Sequence, residues 1–160
     1  VCLPTRGQRD TRDDHRMKSR SVLCPIDFDA AGLASLPLAV EQAKAREASL
    51  DLVHVWQPGR EYAEDGPPIP FSDEVPEARI KKDLAALPVD LPADRVRFHV
   101  TSGQPAQKIV ELASQLDSEL VVMGTHARHG LQRWIVGSVC EWVLHHCPSQ
   151  ILVCRGPEPD

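Results

Sequence analysis

Strand-like apolar runs alternate with helix-like patterns along most of this chain, and no other feature constrains its fold as strongly. Runs without a polar residue at 22–24, 120–123 and 151–154 predict strands that are buried on both faces. Strands that alternate with helices form βαβ units, and such units build a mainly parallel sheet. The sequence therefore predicts an α/β fold in which helices cover both faces of one open sheet.

Two more strands complete a predicted set of five. The segment 50–55, rich in leucine and valine, indicates one of them, and the alternation of apolar and polar residues at 96–100 is typical of a half-exposed strand. Asp29 is a candidate N-cap for the first helix, and Pro105 suits the first turn of the helix that follows 96–100. Five prolines in the segment 57–76 predict a long loop there.

Length and charge limit the classes of partner. A chain of 160 residues can form one domain whose core needs no metal or disulfide. Its 18 Lys and Arg residues are outnumbered by 23 Asp and Glu residues, and the net charge of −5 predicts repulsion from phosphate backbones and anionic membranes. No stretch approaches the roughly 20 apolar residues of a membrane span. We therefore expect neither nucleic acid nor membrane as a partner.

The ends of the chain and the cysteines complete this outline. Residues 1–17 carry charge without periodicity and predict a disordered N-terminal extension without the apolar segment of a secretion signal, and 157–160 form a short C-terminal tail. Five cysteines, an odd number without a C-x-x-C pair, fit reduced thiols better than a disulfide framework. These features predict a cytoplasmic protein.

Candidate site residues follow the strands, because ligands of an open parallel sheet bind at the carboxyl ends near the point where the winding reverses. Asp27 follows the first strand, where a carboxylate could bind ribose hydroxyls, hold a metal beside phosphates, or serve only as a loop or cap residue. The loop after the fourth strand contains Gly124, Arg128 and Gly137. Glycines allow close backbone approach and arginine adds positive charge, so this loop suits a phosphate.

Two interpretations of Ser138 stay open at this point. It begins the last helix, and a helix N-terminus offers unpaired N–H groups and a favourable dipole to an anion. With Glu141 it also forms the S-x-x-E pattern of a capping box, which would stabilise the helix without any ligand. The two roles can coexist.

Several well-known fingerprints are missing from the chain. There is no G-x-x-x-x-G-K-S/T, no G-x-G-x-x-G in the first strand–helix turn and no G-x-S-x-G. These absences exclude a P-loop NTPase, a dinucleotide dehydrogenase and the main serine-hydrolase option for this architecture. His126 and His129, or His145 and His146, have no partner pair at the spacing of a zinc site.

The loop after the fourth strand resembles the signature of the universal stress protein family. In that signature, G-x2-G-x9-G-S/T, the four fixed positions are here Gly124, Ala127, Gly137 and Ser138. Further matches follow in the family's order: P-I-D-F at 25–28, V-H-V at 53–55, G-Q-P at 103–105 and P-S-Q-I-L-V at 148–153. Because several motifs match in order, the resemblance is more specific than any one of them, and it implies a family domain at 18–156.

The resemblance also implies a Rossmann-like five-stranded parallel sheet of order 3-2-1-4-5, a homodimer through the C-terminal strand and, in one branch, bound ATP with Mg²⁺. Asp27 would meet the ribose and the metal, and the backbone of Val55 would meet adenine. The implied nucleotide-binding residues are Pro25, Asp27, Val55, Met123, Gly124, His126, Ala127, Arg128, Gly137, Ser138 and Val139, with Asp27 also at the metal.

Ala127 departs from the signature, because it occupies the position of the second glycine. If that position needs a positive φ, the β-carbon costs on the order of 1 kcal/mol, and with ordinary dihedral angles alanine is harmless. Since the other signature residues are present, we predict that nucleotide binding is retained.

Two functions remain open. The chain is either an ATP-binding stress regulator that acts as a dimer on an unidentified protein partner, or a ligand-free dimeric interaction module of the same fold. Fold alone cannot separate them. No convincing general base stands beyond Asp27, so we expect no dedicated enzyme and at most slow ATP hydrolysis.

Overall fold

Five strands form one sheet in which every strand runs parallel to its neighbours. They are β1 (Ser21–Pro25), β2 (Ser49–Trp56), β3 (Val96–Ser102), β4 (Leu120–Thr125) and β5 (Gln150–Arg155), in the spatial order β3-β2-β1-β4-β5. The computed structural model describes residues 20–57, 76–125 and 137–156, so most of the predicted loop at 57–76 lies outside the described residues. The predicted parallel sheet and its strand order are confirmed.

Helices cover both faces of this sheet. In the described part of the chain they are α1 (Ala30–Ala45), α2 (Glu77–Ala85), α3 (Pro105–Gln115) and α4 (Ser138–His146), and a short 3-10 helix, Ala93–Arg95, precedes β3. The first two pack on one face of the sheet and the other two on the opposite face. Within the described ranges, no helix combines the length and the apolar character that a bilayer crossing requires.

The central strands contribute to two cores, because successive residues of a strand point to opposite faces. Val22, Leu50 and Val122 lie in the core under α1 and α2. Leu23 and Val121 lie in the core under α3 and α4. All of these side chains are fully buried, which confirms that the apolar runs at 22–24 and 120–123 are strands covered on both faces.

β5 is an edge strand, and the prediction that 151–154 would be buried on both faces is wrong. Ile151 and Val153 pack beside the core under α3 and α4, and Leu152 packs beside the other core, yet all three remain half-buried. A strand at the end of a sheet has a neighbour on one side only, so its free flank stays open to solvent. An apolar run in the sequence does not reveal whether a strand is central or at the edge.

α1 begins at its predicted cap and continues through a proline. The Asp29 carboxylate accepts a hydrogen bond of 2.7 Å from the Gly32 N–H, which confirms Asp29 as the N-cap. Pro37 lies inside the helix but on its exposed side. α3 likewise begins at Pro105, as predicted, because the first helical position needs no N–H donor.

A buried carboxylate joins three strands near their amino ends. Asp51 of β2 is fully buried, and Arg97 of β3 donates to both of its oxygens at 2.8 and 2.7 Å. His99 Nε2 lies 2.6 Å from Oδ1, and the Ser21 hydroxyl donates to Oδ2 at 2.5 Å. We call these four residues the Asp51 cluster. Burial alone would raise the pKa of Asp51, but the hydrogen bonds from His99, Arg97 and Ser21 outweigh it and hold that pKa below its usual value.

The cysteines in the described part of the chain are free thiols. Cys24 and Cys140 are buried, and Cys147 and Cys154 are half-buried. Burial raises the pKa of Cys24 to about 12 and also raises the pKa of Cys140 and Cys154. Because the thiolate is the reactive form, these three side chains are poor nucleophiles and act as packing groups.

Candidate functional site

The turn between β1 and α1 leaves the sheet at the point where its winding reverses, because β1 is flanked by β2 and β4. The Ile26 N–H donates to the Val53 carbonyl at 2.8 Å, which extends the parallel ladder one residue beyond β1. Phe28 then adopts a φ of 64°, a left-handed conformation that is uncommon for a residue with a β-carbon. This constrained backbone carries Asp27 and Asp29 on either side of Phe28.

Asp27 and Asp29 bring two carboxylates together on this turn. The Asp29 N–H lies 3.4 Å from Asp27 Oδ1, and a β-carbon on Gly32 would come within 2.0 Å of the same oxygen. Although Asp27 as a residue is exposed, surrounding protein crowds its carboxylate. This burial, reinforced by a hydrogen bond between the two carboxyl side chains and by repulsion from Asp29, raises the pKa of Asp27 to about 6, although the Asp29 backbone N–H acts in the opposite direction. The pair therefore favours a proton or a cation.

The carboxylate pair fits Mg²⁺ in one particular way. Magnesium is usually held by one or two carboxylates together with phosphates of a bound molecule, rather than by a cage of protein ligands. In the described ranges, no group of three or more His, Cys, Asp or Glu residues is arranged to hold a metal. Asp27, with Asp29 beside it, could thus supply the protein's share of a magnesium site that a phosphate completes.

His54 of β2 lies beneath the same turn. Its Nδ1 atom is 2.7 Å from the Ile26 carbonyl oxygen, and its ring centroid is 5.2 Å from that of Phe28. Burial lowers the pKa of His54, against a smaller opposing effect of the Ile26 contact, so the ring is neutral near pH 7. From the sequence, His54 is only a residue at a strand end, and its partners 26 to 28 residues upstream could not be inferred.

Gly124 ends the buried part of β4 and is required by packing within the protein. A β-carbon there would lie 1.9 Å from the Ala31 carbonyl oxygen of α1. Gly156 also faces Ala31, because a β-carbon on Gly156 would lie 2.7 Å from the Ala31 Cα atom. The first signature glycine therefore allows β4 to approach the first turn of α1, which positions the neighbouring Asp27 turn.

No described side chain covers or caps the N-terminus of α4, and the capping-box interpretation of Ser138 is wrong. The N-cap is Gly137, and Ser138 is already the first helical residue, so it stands one position too late for its hydroxyl to cap the helix. No side chain caps this helix end within the described residues, and Glu141 N–H donates to the Gly137 carbonyl at 2.9 Å. Ser138 is exposed, and a β-carbon on Gly137 would meet no described atom within 4 Å.

Gly137, unlike Gly124, is not required by packing against the described part of the protein. Its φ of −56° and ψ of 151° are ordinary for any residue. Neither backbone conformation nor contact with the described protein explains a glycine there, whereas access for a ligand to the first N–H groups of α4 would explain it.

The remaining predicted site residues fall into two groups. Pro25 ends β1, Val55 lies in β2 at 8% exposure, Met123 lies in β4 at 5%, and Val139 is the half-buried second residue of α4. They lie towards the carboxyl edge of the sheet and at the start of α4; the side chains of Val55 and Met123 belong to the core under α3 and α4, and Val139 packs against it. His126, Ala127 and Arg128 lie outside the described residues.

The geometry supports anion binding better than catalysis. A helix N-terminus with an exposed hydroxyl can bind a phosphate, and the carboxylate pair at the carboxyl end of β1 can bind a cation. The histidine beside the turn is buried and donates to a backbone carbonyl, so it is not placed as a general base for an external molecule.

Comparisons with known proteins agree on one family. The model of the "Universal stress protein family" matches residues 18–155. The chain is 30% identical over 139 residues to universal stress protein A homolog 1 of Coxiella burnetii, covering 85% of this chain and 96% of that protein. It is also 30% identical over 134 residues to a universal stress protein of Mycolicibacterium smegmatis, covering 84% of this chain but 45% of that longer protein.

Solved structures show the same fold at lower identity. A universal stress protein in complex with cAMP superposes with a TM-score of 0.62 at 21% identity, covering 86% of this chain and 98% of that one. UspA from Lactobacillus plantarum gives a TM-score of 0.58 at 19% identity over the same shares of the two chains. With the family model matching most of the chain, we conclude that this protein belongs to the universal stress protein family.

Proposed function

We propose that this protein binds ATP with Mg²⁺ at the carboxyl edge of its sheet and acts as a dimeric stress-response regulator. The N-terminus of α4 carries the proposal, because no described side chain caps it, no described atom lies within 4 Å of a β-carbon on Gly137, and Ser138 is exposed. The first N–H groups of a helix favour a phosphate by hydrogen bonding and by the helix dipole. A relative of the same fold was solved with cAMP, which is also an adenine nucleotide.

In this proposal the Asp27 turn holds the magnesium side of the nucleotide. Asp27 and Asp29 repel each other, and a divalent cation would relieve that repulsion. Magnesium would supply charge neutralisation between the carboxylate and the phosphates. The backbone of Val55 and the strand ends at Pro25 and Met123 would form the opposite wall, against adenine and ribose.

The regulatory part of the proposal rests on a second copy of the chain. β5 places Leu152 and Val153 half-buried at the edge of the sheet, and an apolar edge strand left open invites uncontrolled association. A two-fold dimer through β5 would cover this edge. Nucleotide occupancy would then be read by a protein partner that binds the dimer.

The direct experiment is to purify the protein, denature it and identify any nucleotide that is released. Calorimetry with ATP and Mg²⁺ then gives the affinity of the emptied protein. At ten times the dissociation constant, binding should stabilise the fold by about 1.4 kcal/mol, so a thermal shift is a second readout.

Two variants of α4 test where the phosphates bind. Gly137→Val should abolish the thermal shift, because a branched side chain would fill the space beside the helix N-terminus. Ser138→Ala should weaken binding, and because Ser138 is not the N-cap, the variant should keep the parent's stability within about 0.5 kcal/mol. If the Ser138→Ala protein binds ATP with the affinity of the parent, the Ser138 hydroxyl does not contribute to binding.

Ala127→Gly tests the departure from the family signature. Binding should strengthen if the β-carbon obstructs phosphate and stay unchanged if it does not. If neither the parent nor this variant gives heat with millimolar ATP and Mg²⁺, the nucleotide function fails. The ligand-free interaction module, which the half-buried β5 and the 45% exposed Leu144 of α4 would serve, should then replace it.

A further inference from the structure

His54 is a buried polar residue that the proposed nucleotide site does not use directly. Its residue exposure is 1%, in the strand position next to Val55. The Ile26 carbonyl oxygen can only accept a hydrogen bond, so the contact at 2.7 Å requires His54 to carry its proton on Nδ1. A neutral imidazole has one N–H, and this contact commits it to the turn that follows β1.

The turn needs such support because its backbone is unfavourable at one residue. Phe28 has a φ of 64°, a left-handed conformation that is unfavourable for a residue with a β-carbon. Left-handed residues of this kind persist where the surroundings hold them. The His54 ring contacts the Phe28 ring at an interplanar angle of 44°, and His54 Nδ1 donates to the carbonyl of Ile26, two residues before Phe28. One side chain therefore contacts both ends of the segment 26–28.

The direction of the Asp27 carboxylate depends on this segment. Asp27 lies between the two residues that His54 contacts, and its Oδ1 atom is lodged where a β-carbon of Gly32 would come within 2.0 Å. A change in the peptide on either side of Asp27 would rotate the carboxylate out of this place. The Asp29 N–H, 3.4 Å from Oδ1, would move with it.

We infer that His54 is a positioning residue for Asp27: by donating from Nδ1 to the Ile26 carbonyl, it holds the turn that presents the carboxylate to magnesium and phosphate. The effect of His54 on ligand binding rests on the proposed nucleotide function. Its effect on the conformation of the turn is a property of the ligand-free protein. The two are therefore tested separately.

The first test needs no ligand. Long-range ¹H–¹⁵N spectra distinguish the histidine tautomers, and His54 should be the Nδ1–H form. Phe28 should show the strong amide-to-Hα nuclear Overhauser effect of a positive φ in the parent and in His54→Asn, whose side-chain amide can replace the Nδ1 donor. This effect should be lost in His54→Leu, which has no donor. An Nε2–H tautomer, or a Phe28 signal that persists in His54→Leu, would overturn the inference.

The second test measures binding of ATP with Mg²⁺ by calorimetry. His54→Leu should weaken binding about tenfold, the equivalent of one lost neutral hydrogen bond, and His54→Asn should stay within about threefold of the parent. In an Asp27→Asn background, His54→Leu should cause no further loss, because it acts through the carboxylate. If the losses of binding free energy from His54→Leu and Asp27→Asn are additive in this double-mutant cycle, the inference is contradicted.

A matched control is His99→Leu, the same substitution on the neighbouring strand in the Asp51 cluster. It should lower stability and leave nucleotide affinity unchanged, which separates positioning from general weakening of the sheet. If His54→Leu does not fold, His54→Gln replaces it, since its amide lies at the place of Nε2 and should bind as weakly as the leucine variant would. A parent that binds no nucleotide contradicts the proposed function alone, and the spectroscopic test then decides on His54.

Discussion

Asp27 should destabilise the ligand-free fold near neutral pH. Its folded pKa is raised from 3.8 to about 6, chiefly by burial, so the folded protein binds a proton more tightly than the unfolded chain. The stability linked to this proton is present below about pH 4 and is lost as the pH rises towards 6. Asp27→Asn should therefore raise the melting temperature at pH 7 and leave it unchanged at pH 3.

Asp29→Asn is the control for this prediction. Asparagine caps helices about as well as aspartate, so α1 should keep its start. The pKa of Asp27 should fall, because the Asp29 side chain raises it both by repulsion and by a hydrogen bond between the two carboxyl groups, and the substitution keeps the Asp29 backbone N–H, which lowers it. If NMR titration of Asp29→Asn gives an unchanged Asp27 pKa, the interaction between the two carboxylates is not what the geometry indicates.

The two described signature glycines should respond differently to alanine. Gly124→Ala should destabilise the protein severely, by roughly 3 kcal/mol or more, because its β-carbon would overlap the Ala31 carbonyl oxygen. Gly137→Ala should leave stability unchanged or raise it slightly, since its φ of −56° suits alanine and the space is open. Urea denaturation of the two variants checks this, and a strongly destabilised Gly137→Ala protein would contradict it.

At the residue scale the sequence indicated where candidate side chains lie in the fold, but not all of their roles. Asp27 is a candidate because it closely follows an apolar run, whereas Asp29 was predicted only as the N-cap of α1. The role of Ser138 was misjudged, since a one-residue difference in the helix start separates a cap from an exposed first residue. The contact of His54 with Ile26 spans 28 residues and depends on strand register, which sequence patterns do not specify.

The Asp51 cluster adds a buried ion pair to the parallel pairing of β2 with β3. Asp51→Ala should destabilise the protein by roughly 3 kcal/mol, because Arg97 would lose its partner at a partly buried position. Chemical denaturation measures this change. As a control, Asp90→Ala removes an exposed ion pair with Lys44 and should leave the denaturation midpoint unchanged.

The Asp51 cluster also predicts how the stability of the protein changes with pH. The folded pKa of Asp51 is below that of the unfolded chain, so its contribution is present above about pH 4 and is lost as pH falls through the lowered pKa. The parent should lose stability below pH 4 more steeply than Asp51→Ala does. Equal slopes for the two proteins would show that the carboxylate is not held by its partners.

At the element scale, periodicity predicted the strands and helices well because burial on one or two faces leaves a direct record in the sequence. The position of a strand within the sheet, central or at the edge, leaves a weaker record in the sequence. The run at 151–154 reads like the run at 120–123, although one is an edge strand and the other is central. The pairing of Asp51 with Arg97 could not be predicted either, because it requires the β2–β3 register.

For the whole molecule, the proposed dimer places the interface on β5. Leu152→Lys or Val153→Lys should give a monomer in light scattering, because a charged side chain would be brought to a two-fold apolar contact. Gln150→Lys, at an exposed position at the start of the strand, is the control and should remain dimeric. Circular dichroism must show that the variants are folded, and a folded Leu152→Lys or Val153→Lys dimer would place the interface elsewhere.

The strand order has a consequence for how the chain is made on the ribosome. β1 emerges early and pairs with β2 soon afterwards, but its other partner is β4, with Val22 opposite Leu120. At about 5–20 residues per second, translation takes on the order of 5 to 20 seconds to cover that distance. Throughout this interval one flank of β1, whose residues Val22, Leu23 and Cys24 are fully buried in the folded protein, has no neighbour, so nascent chains that stop before β4 should be those that chaperones bind most strongly.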